Sequence, residues 1–548
     1  MSSKLGGKVM HRREFMEVAL VAAGATVNSN AVSAAETWDV SEKSVVQLQA
    51  AMHAGHINAQ QLVRLYLTRI AAIDRAGPLL NSVIEINPQA TSIAAQLDAE
   101  RLIKGPRGPL HGIPILIKDN IATGDLMQTT AGSLALLGIK PPRDAFLVAK
   151  LRDAGAVILG KTNLSEWANM RSSRSTSGWS ARGGLTRNPY ALDRNTSGSS
   201  SGSGASIAAN LAAIAVGTET DGSITSPSAV ASLVGIKPTV GLISRTGIIP
   251  ISHSQDTAGP MARCVADAAV LLSAMAGRDQ SDPATELANQ KRSDYTRFLD
   301  HNGLRGKRIG IVRSQLSASG DRVAALVESQ FPILRDQGAT LIEVPEVPNT
   351  GKYAESELTV LLYELKAGMT AFFDNYGPQS PIKTLADLIA FNERHQAQEM
   401  PFFGQEHFIN AQAKGGLDQN EYLDALANNL RYSREEGIDQ VLKEHRLDAL
   451  LAPTGGPAWL TDFINGDSYG SSFCSPAAVA GYPHITVPCG TVHGLPCGMS
   501  FVAGAWAEGP LIAMAYAYEQ ASKRRLPPTF PESVNIRPHT ATRPAEVS

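Results

Sequence analysis

The chemistry this chain could perform is concentrated between Thr196 and Ser228. The stretch opens with Ser197-Gly198-Ser199-Ser200-Ser201-Gly202-Ser203-Gly204. Such small residues let the backbone take unusual dihedrals and crowd its N–H groups together. An apolar segment over residues 205–216 predicts a helix, and a second small-residue turn follows, Gly217-Thr-Glu-Thr-Asp-Gly-Ser-Ile224. Two tight turns joined by a short helix can bring Ser199 and Ser223 together. A serine hydroxyl becomes a nucleophile only when a base takes its proton. His253 is the nearest histidine in sequence, and a lone histidine is more often structural. A neutral lysine can serve instead if burial lowers its reference pKa of about 10.4. Lys118, Lys161 and Lys237 all end apolar runs, and residue types alone leave the three open. Strand alternation favours Lys118, because it would point Asp119 to the opposite face and prevent a charged pair.

Two other motifs compete. Gly198-Ser-Ser-Ser-Gly202 fits G-x-S-x-G, which would make Ser200 the nucleophile of a strand-to-helix elbow. The elbow needs an apolar strand before it, whereas Arg187-Asn-Pro-Tyr-Ala-Leu-Asp-Arg-Asn195 is polar. Ser380-Pro-Ile-Lys383 fits S-x-x-K, without the S-D-N or K-T-G that should accompany it. A flexible Gly/Ser linker is the bland reading of the centre, and the apolar segment that anchors it argues against that.

The elements that would position these serines read as a layered α/β protein. Asn58 and Gln61 form a capping box, and apolar spacing predicts an amphipathic helix over 59–75, ended by Gly77-Pro78. Short apolar runs at 113–117, 156–159, 233–236, 308–312, 485–487 and 498–502 predict strands. Their alternation with helical stretches predicts a sheet with helices on its faces. Residues 280–445 are more charged and helical, and the tail 531–548 reads as loose.

Composition sets the frame. Over 548 residues the chain is 43% hydrophobic and 18% charged, enough for a large core. The net charge of −2 gives no pull toward nucleic acid or anionic membrane. No run of 18 apolar residues exists, so no membrane span is expected. Cys264, Cys474, Cys489 and Cys497 fit no zinc pattern. Cys489 and Cys497 flank a predicted hairpin, so a cross-strand disulfide and two buried thiols both stay open. Residues 1–35 read as an export signal. Arg12-Arg13 precede an apolar run over 18–27, and Ala31-Val-Ser-Ala-Ala35 supplies the small residues of a cleavage site. That order fits twin-arginine export to the periplasm or beyond. The alternative is a short amphipathic helix.

Taken together, Gly112-Ile-Pro-Ile-Leu-Ile-Lys-Asp-Asn120, Gly160-Lys-Thr-Asn163, Thr186-Arg-Asn-Pro189, the serine-glycine centre, Gly235-Ile-Lys-Pro-Thr239 and Asp256-Thr-Ala-Gly-Pro260 occur in the order seen in the amidase signature family. The chain resembles that family over about residues 42–525. The resemblance implies a single large α/β/α domain around a mixed β-sheet, spanning 36–530. It implies Lys118 as base, Ser199 as relay after a cis Gly198–Ser199 bond, and Ser223 as nucleophile. Backbone N–H groups of Thr220, Asp221 and Gly222 would form the oxyanion hole, and Trp167, Asn169 and Ser200 would contact substrate. No metal or organic cofactor is implied, and the partner would be a small-molecule or peptide amide. Ser197, Ser201 and Asp221 stand where the family often has glycine, and Thr225 where it often has arginine. Thr218-Glu-Thr-Asp-Gly-Ser-Ile224, Trp167-Ala-Asn169 and Gly178-Trp-Ser-Ala-Arg-Gly183 look most like bacterial peptide amidases, which remove the C-terminal amide nitrogen of peptide amides. Rival expectations are an amidase for small aliphatic, aryl or fatty amides, an ammonia-supplying subunit for tRNA transamidation, and a non-catalytic binding protein. Export argues against the second and the intact Lys-Ser-Ser set against the third.

Overall fold

The six predicted apolar runs all fall on strands, and further strands form beside them. In the computed structural model, which describes residues 38–534, these are β1 (Val83–Ile86), β2 (Pro114–Lys118), β3 (Val157–Thr162), the short β4 (Trp179–Ser180) and β5 (Gly184–Leu185), β6 (Ile214–Glu219), β7 (Val234–Lys237), β8 (Thr257–Ala262), β9 (Arg308–Val312), β10 (Thr340–Val344), β11 (Ala449–Pro453), β12 (His484–Val492) and β13 (Leu495–Val502). All but β4 and β5 join one eleven-stranded sheet, in the order β1-β3-β2-β6-β8-β7-β12-β13-β11-β9-β10. It is mixed, as expected. β2 runs parallel to β3 and β6, and β9 runs parallel to β10 and β11. β6, β8, β7, β12 and β13 follow one another antiparallel. β2, β3, β6, β7 and β8 are buried at every residue. That is why β2, β3 and β7 read as apolar runs without alternation: both faces are covered.

The expected capping box is present. Gln61 N–H donates to Asn58 Oδ1 at 2.8 Å, and Asn58 N–H donates to Gln61 Oε1 at 2.9 Å. The helix Ala59–Arg69 then continues through a wider turn, Ile70–Asp74.

The segment 205–216 departs from expectation. It is a helix, Ser201–Ala208, followed by strand β6. Asn210 takes a left-handed conformation with φ 58°, and its side chain exchanges two 2.8 Å hydrogen bonds with Glu42. That stop turns the chain back, and Ile214-Ala-Val216 slots between β2 and β8. Apolar content alone does not separate a buried helix from a buried strand.

The β12–β13 hairpin turns at His493 and Gly494, both with positive φ, as a two-residue hairpin turn requires. A bulge after Pro488 sets Gly490 opposite Cys497, so Cys489 has no place directly across from it. The disulfide is not formed. Both cysteines are buried free thiols, with Cys489 Sγ 3.3 Å from the Cys497 carbonyl.

Residues 531–534 are tied down. Leu192 N–H donates to Pro531 O at 2.9 Å, Asp193 N–H to Glu532 O at 3.2 Å, and Val534 packs on Ala191, Val230, Ala458 and Leu495. The expected export signal, and the tail from 535 onward, lie outside the described residues.

Candidate active site

Parallel pairing of β2 with β6 sets Ile117 beside Val216. The carboxyl ends of both strands therefore open at the same edge, the usual place for ligands in such sheets. Lys118 ends β2 there, fully buried. Its Nζ lies 2.8 Å from Ser199 Oγ, 2.9 Å from Thr218 Oγ1 and 3.2 Å from the Thr218 carbonyl. Loss of solvation pushes the amine down to about 7, against the opposing pull of the Asp256 and Glu219 carboxylates. Asp119 faces the other way, as strand alternation requires. It accepts from Thr130 Oγ1 at 2.5 Å and from Arg182 Nη1 at 3.3 Å.

The other two candidate lysines meet no serine. Lys161 Nζ donates to the Ile121 carbonyl at 2.6 Å and to Thr129 Oγ1 at 2.8 Å. Lys237 donates to the Pro238 carbonyl at 3.2 Å. Burial lowers both to about 8, so a depressed pKa alone does not distinguish Lys118. Contact with a serine hydroxyl does. His253 sits 3.2 Å from Glu364 Oε1 and is half exposed.

The partners of Lys118 suit a neutral amine, which has two N–H donors and one lone pair. The Thr218 carbonyl can only accept. Thr218 Oγ1 also accepts from Asn120 Nδ2 at 3.0 Å. Two N–H groups on Thr218 leave the lone pair of Lys118 for the Ser199 hydroxyl proton. In the ammonium form all three contacts are donations. Both states are satisfied, and a pKa near 7 makes both accessible.

Two loops converge above this lysine. Ser200 N–H donates to the Ser223 carbonyl at 3.2 Å, joining one loop to the other. The Gly198–Ser199 peptide bond is cis. Ser200 Oγ is spent on β6, donating to the Thr218 carbonyl at 3.1 Å and accepting from Thr218 N–H at 3.2 Å. Ser197 Oγ and Ser226 Oγ lie 2.8 Å apart. Gly217 permits this closeness, since a Cβ there would fall 2.8 Å from Ser200 Oγ.

The turn after β6 is held by Glu219. Its Oε2 accepts from the N–H groups of Ile224 and Thr225, at 2.8 and 2.9 Å, and from Thr225 Oγ1 at 3.1 Å. Gly222 turns with φ 77°. Among the described residues no acceptor takes the N–H of Thr220, Asp221, Gly222 or Ser223. Thr220 is fixed by its hydroxyl, which donates to Asp256 Oδ1 at 2.6 Å.

Ser223, Thr220, Asp221, Ser197 and Gly198 line a cavity of about 400 Å³. Its far wall comes from serines at 172–177, Ile251, Leu361, His407, Asp467 and Tyr469. Asn169 also lines it and donates through Nδ2 to Ser177 Oγ at 3.1 Å. The other two expected substrate contacts lie behind the wall: Trp167 is buried edge-on against Phe408, at 5.8 Å between ring centres, and Ser200 is buried on β6. Thr218, Asn120, Glu219 and Asp256 were not singled out by sequence reasoning. Their motifs were visible even so: Asn120 in Lys-Asp-Asn, Thr218 and Glu219 in the second small-residue turn, and Asp256 in Asp-Thr-Ala-Gly-Pro. Asp467 sits in an irregular loop with no local signal.

Residues 61–512 match the model of the amidase family. The chain belongs to the amidase family. It is 42% identical over 513 residues to a probable amidase of Arabidopsis thaliana, covering 92% of this chain and 94% of that one. Among solved structures, the native peptide amidase of Stenotrophomonas maltophilia matches with a TM-score of 0.86 and 54% identity, covering 89% of this chain and 99% of that one. An amidase family protein of Bacillus anthracis matches with a TM-score of 0.83 and 38% identity, covering 92% and 95%. This amidase therefore has the fold its motifs led one to expect, and it is a hydrolase of amide bonds.

Proposed function

We propose that this amidase hydrolyses the C-terminal amide of peptide amides through an acyl-enzyme on Ser223. The observation that carries the chemistry is the buried 2.8 Å contact between Lys118 Nζ and Ser199 Oγ. Neutral Lys118 takes the Ser199 proton while Ser199 takes the proton of Ser223, and Ser223 Oγ attacks the amide carbon. The N–H groups of the turn from Thr220 to Ser223 receive the oxyanion, a term of about 3–4 kcal/mol per donor. The proton returns through Ser199 to the leaving nitrogen, and ammonia departs. Water then adds to the ester by the same relay and releases the carboxylic acid.

The cavity supports the substrate class. Among the described residues it is lined by Asp221 and Asp467 and by no lysine or arginine. Such a lining accepts a neutral carboxamide and repels the carboxylate product. The Stenotrophomonas protein, 54% identical, is described as a peptide amidase, which favours the same assignment. The signal-like residues 1–35 support activity outside the cytoplasm. The test is ammonia release from N-acetylated amino-acid amides, free amino-acid amides and simple aliphatic, aryl and fatty amides. The proposal expects kcat/KM to be highest for the peptide-like amides. An equal or higher value for simple amides would overturn the peptide assignment.

A further inference from the structure

We infer that the Asp221 side chain is a specificity determinant: its open carboxylate oxygen accepts the N–H on the α-nitrogen of the residue whose carboxamide is cleaved. This rests on the peptide-amide reading above and adds how the enzyme tells such a residue from a plain amide.

Asp221 is two residues before Ser223 on the same turn, and both line the cavity. Its carboxylate is oriented by Ser475, whose Oγ donates to Oδ2 at 2.6 Å. Ser475 opens the helix Ser475–Ala480, an element unrelated to the turn. Gly222 packs against the residue before it, since a Cβ on Gly222 would lie 3.3 Å from Cys474 Sγ. Among the described residues Oδ1 of Asp221 has no protein donor. The other carboxylate of the cavity is fully engaged. Asp467 Oδ2 accepts from Ser177 N–H at 2.9 Å, and Oδ1 from Asn195 Nδ2 and Trp459 Nε1, each at 3.2 Å. Asp467 thus braces the wall, while Asp221 has an acceptor to offer. Burial raises the Asp221 carboxyl, and it raises that of the neighbouring Glu357 more strongly with the Asp221 charge adding to it, so Asp221 is the first of the two to ionise.

The geometry of an α-amino-acid amide matches this placement. Its α-nitrogen is two bonds from the carbon that Ser223 attacks, whether acylated in a peptide or free as an amine. Either form carries an N–H to donate. A simple amide has none there, and a glycine in place of Asp221 could not accept one.

The test compares N-acetylphenylalanine amide with 3-phenylpropanamide, which has the same ring and carboxamide but no α-nitrogen. The quantity read is the ratio of their kcat/KM values in the full-length enzyme. Asp221→Ala should lower that ratio by about 10- to 100-fold, the usual weight of a hydrogen bond to a charged group. Asp221→Asn, which keeps an acceptor but not the charge, should fall between. Parallel losses on both substrates, leaving the ratio unchanged, would overturn the assignment while the peptide-amide reading stood. A wild-type ratio near one would overturn both. If Asp221→Ala does not fold, the Asp221→Asn ratio decides in the same way.

Discussion

Lys118 Nζ and Ser199 Oγ lie 2.8 Å apart, and neither side chain is exposed to solvent. Ser223, by contrast, is half-buried at the cavity. The order from depth to surface is base, relay, nucleophile. A lysine at the surface would stay protonated, and a nucleophile beside the lysine in depth would not reach substrate. The intervening serine lets one arrangement meet both needs.

The nucleophile assignment gives the simplest expectation. A fluorophosphonate probe should label the wild-type enzyme, and mass spectrometry should find the adduct on Ser223. Ser223→Ala should abolish labelling and turnover. An adduct on Ser200 would revive the G-x-S-x-G alternative, although its hydroxyl is bound to β6.

Thr218 supplies two of the three partners of Lys118. Thr218→Val keeps the carbonyl and the side-chain volume but removes the hydroxyl that accepts from Lys118 and Asn120. The amine loses part of its orientation, and the Asn120 donor loses an acceptor. We expect kcat to fall about 10- to 100-fold, with KM changed less than about threefold, because the loss acts on proton transfer. Steady-state kinetics on one good substrate checks this. A rise in KM at constant kcat would place Thr218 in substrate binding instead.

Much of this site was legible in the sequence because it is built from contiguous motifs. Lys118 is the last residue of a strand readable from Ile113-Pro-Ile-Leu-Ile, and alternation alone turned Asp119 away from it. Ser199 and Ser223 stood in the two small-residue turns. What was not legible comes from pairing between distant segments. The choice among Lys118, Lys161 and Lys237 depends on which strand lies beside β6, and all three are equally buried. β6 itself was hidden in an apolar run that also fits a helix. The wall residues Asp467 and His407 approach from loops and helices more than 180 residues away in sequence, where no local pattern marks them.

Buried acids predict a pH effect on stability that is separate from catalysis. Glu519 on the helix Glu508–Ser522 accepts from Val265 N–H at 2.8 Å, and burial raises it to about 7 from an ordinary value near 4.5. A raised carboxyl is neutral in the folded protein while the unfolded chain is already ionised. Its stabilising contribution is complete below about 4.5 and is lost as pH rises to about 7. Glu519→Gln keeps the acceptor and cannot ionise. The variant should match wild type near pH 4.5 and exceed it increasingly up to pH 7, by about 2–3 kcal/mol at most. Urea unfolding at several pH values measures the difference. A constant difference across that window would contradict the prediction.

The central claim is that Lys118 acts as a neutral base and not as a fixed cation. The decisive measurement is kcat/KM against pH for wild type and Lys118→Arg. Because the folded amine sits near 7, wild-type activity should rise with pH through about 7 and level above it, as Lys118 loses its proton. Arginine keeps the charge and the reach but does not deprotonate at working pH. Lys118→Arg should therefore lose at least about 10²–10⁴-fold across the whole range and show no such rise. Near-normal kcat/KM in Lys118→Arg, with the acid limb still at about 7, would contradict the account and make Lys118 a structural cation.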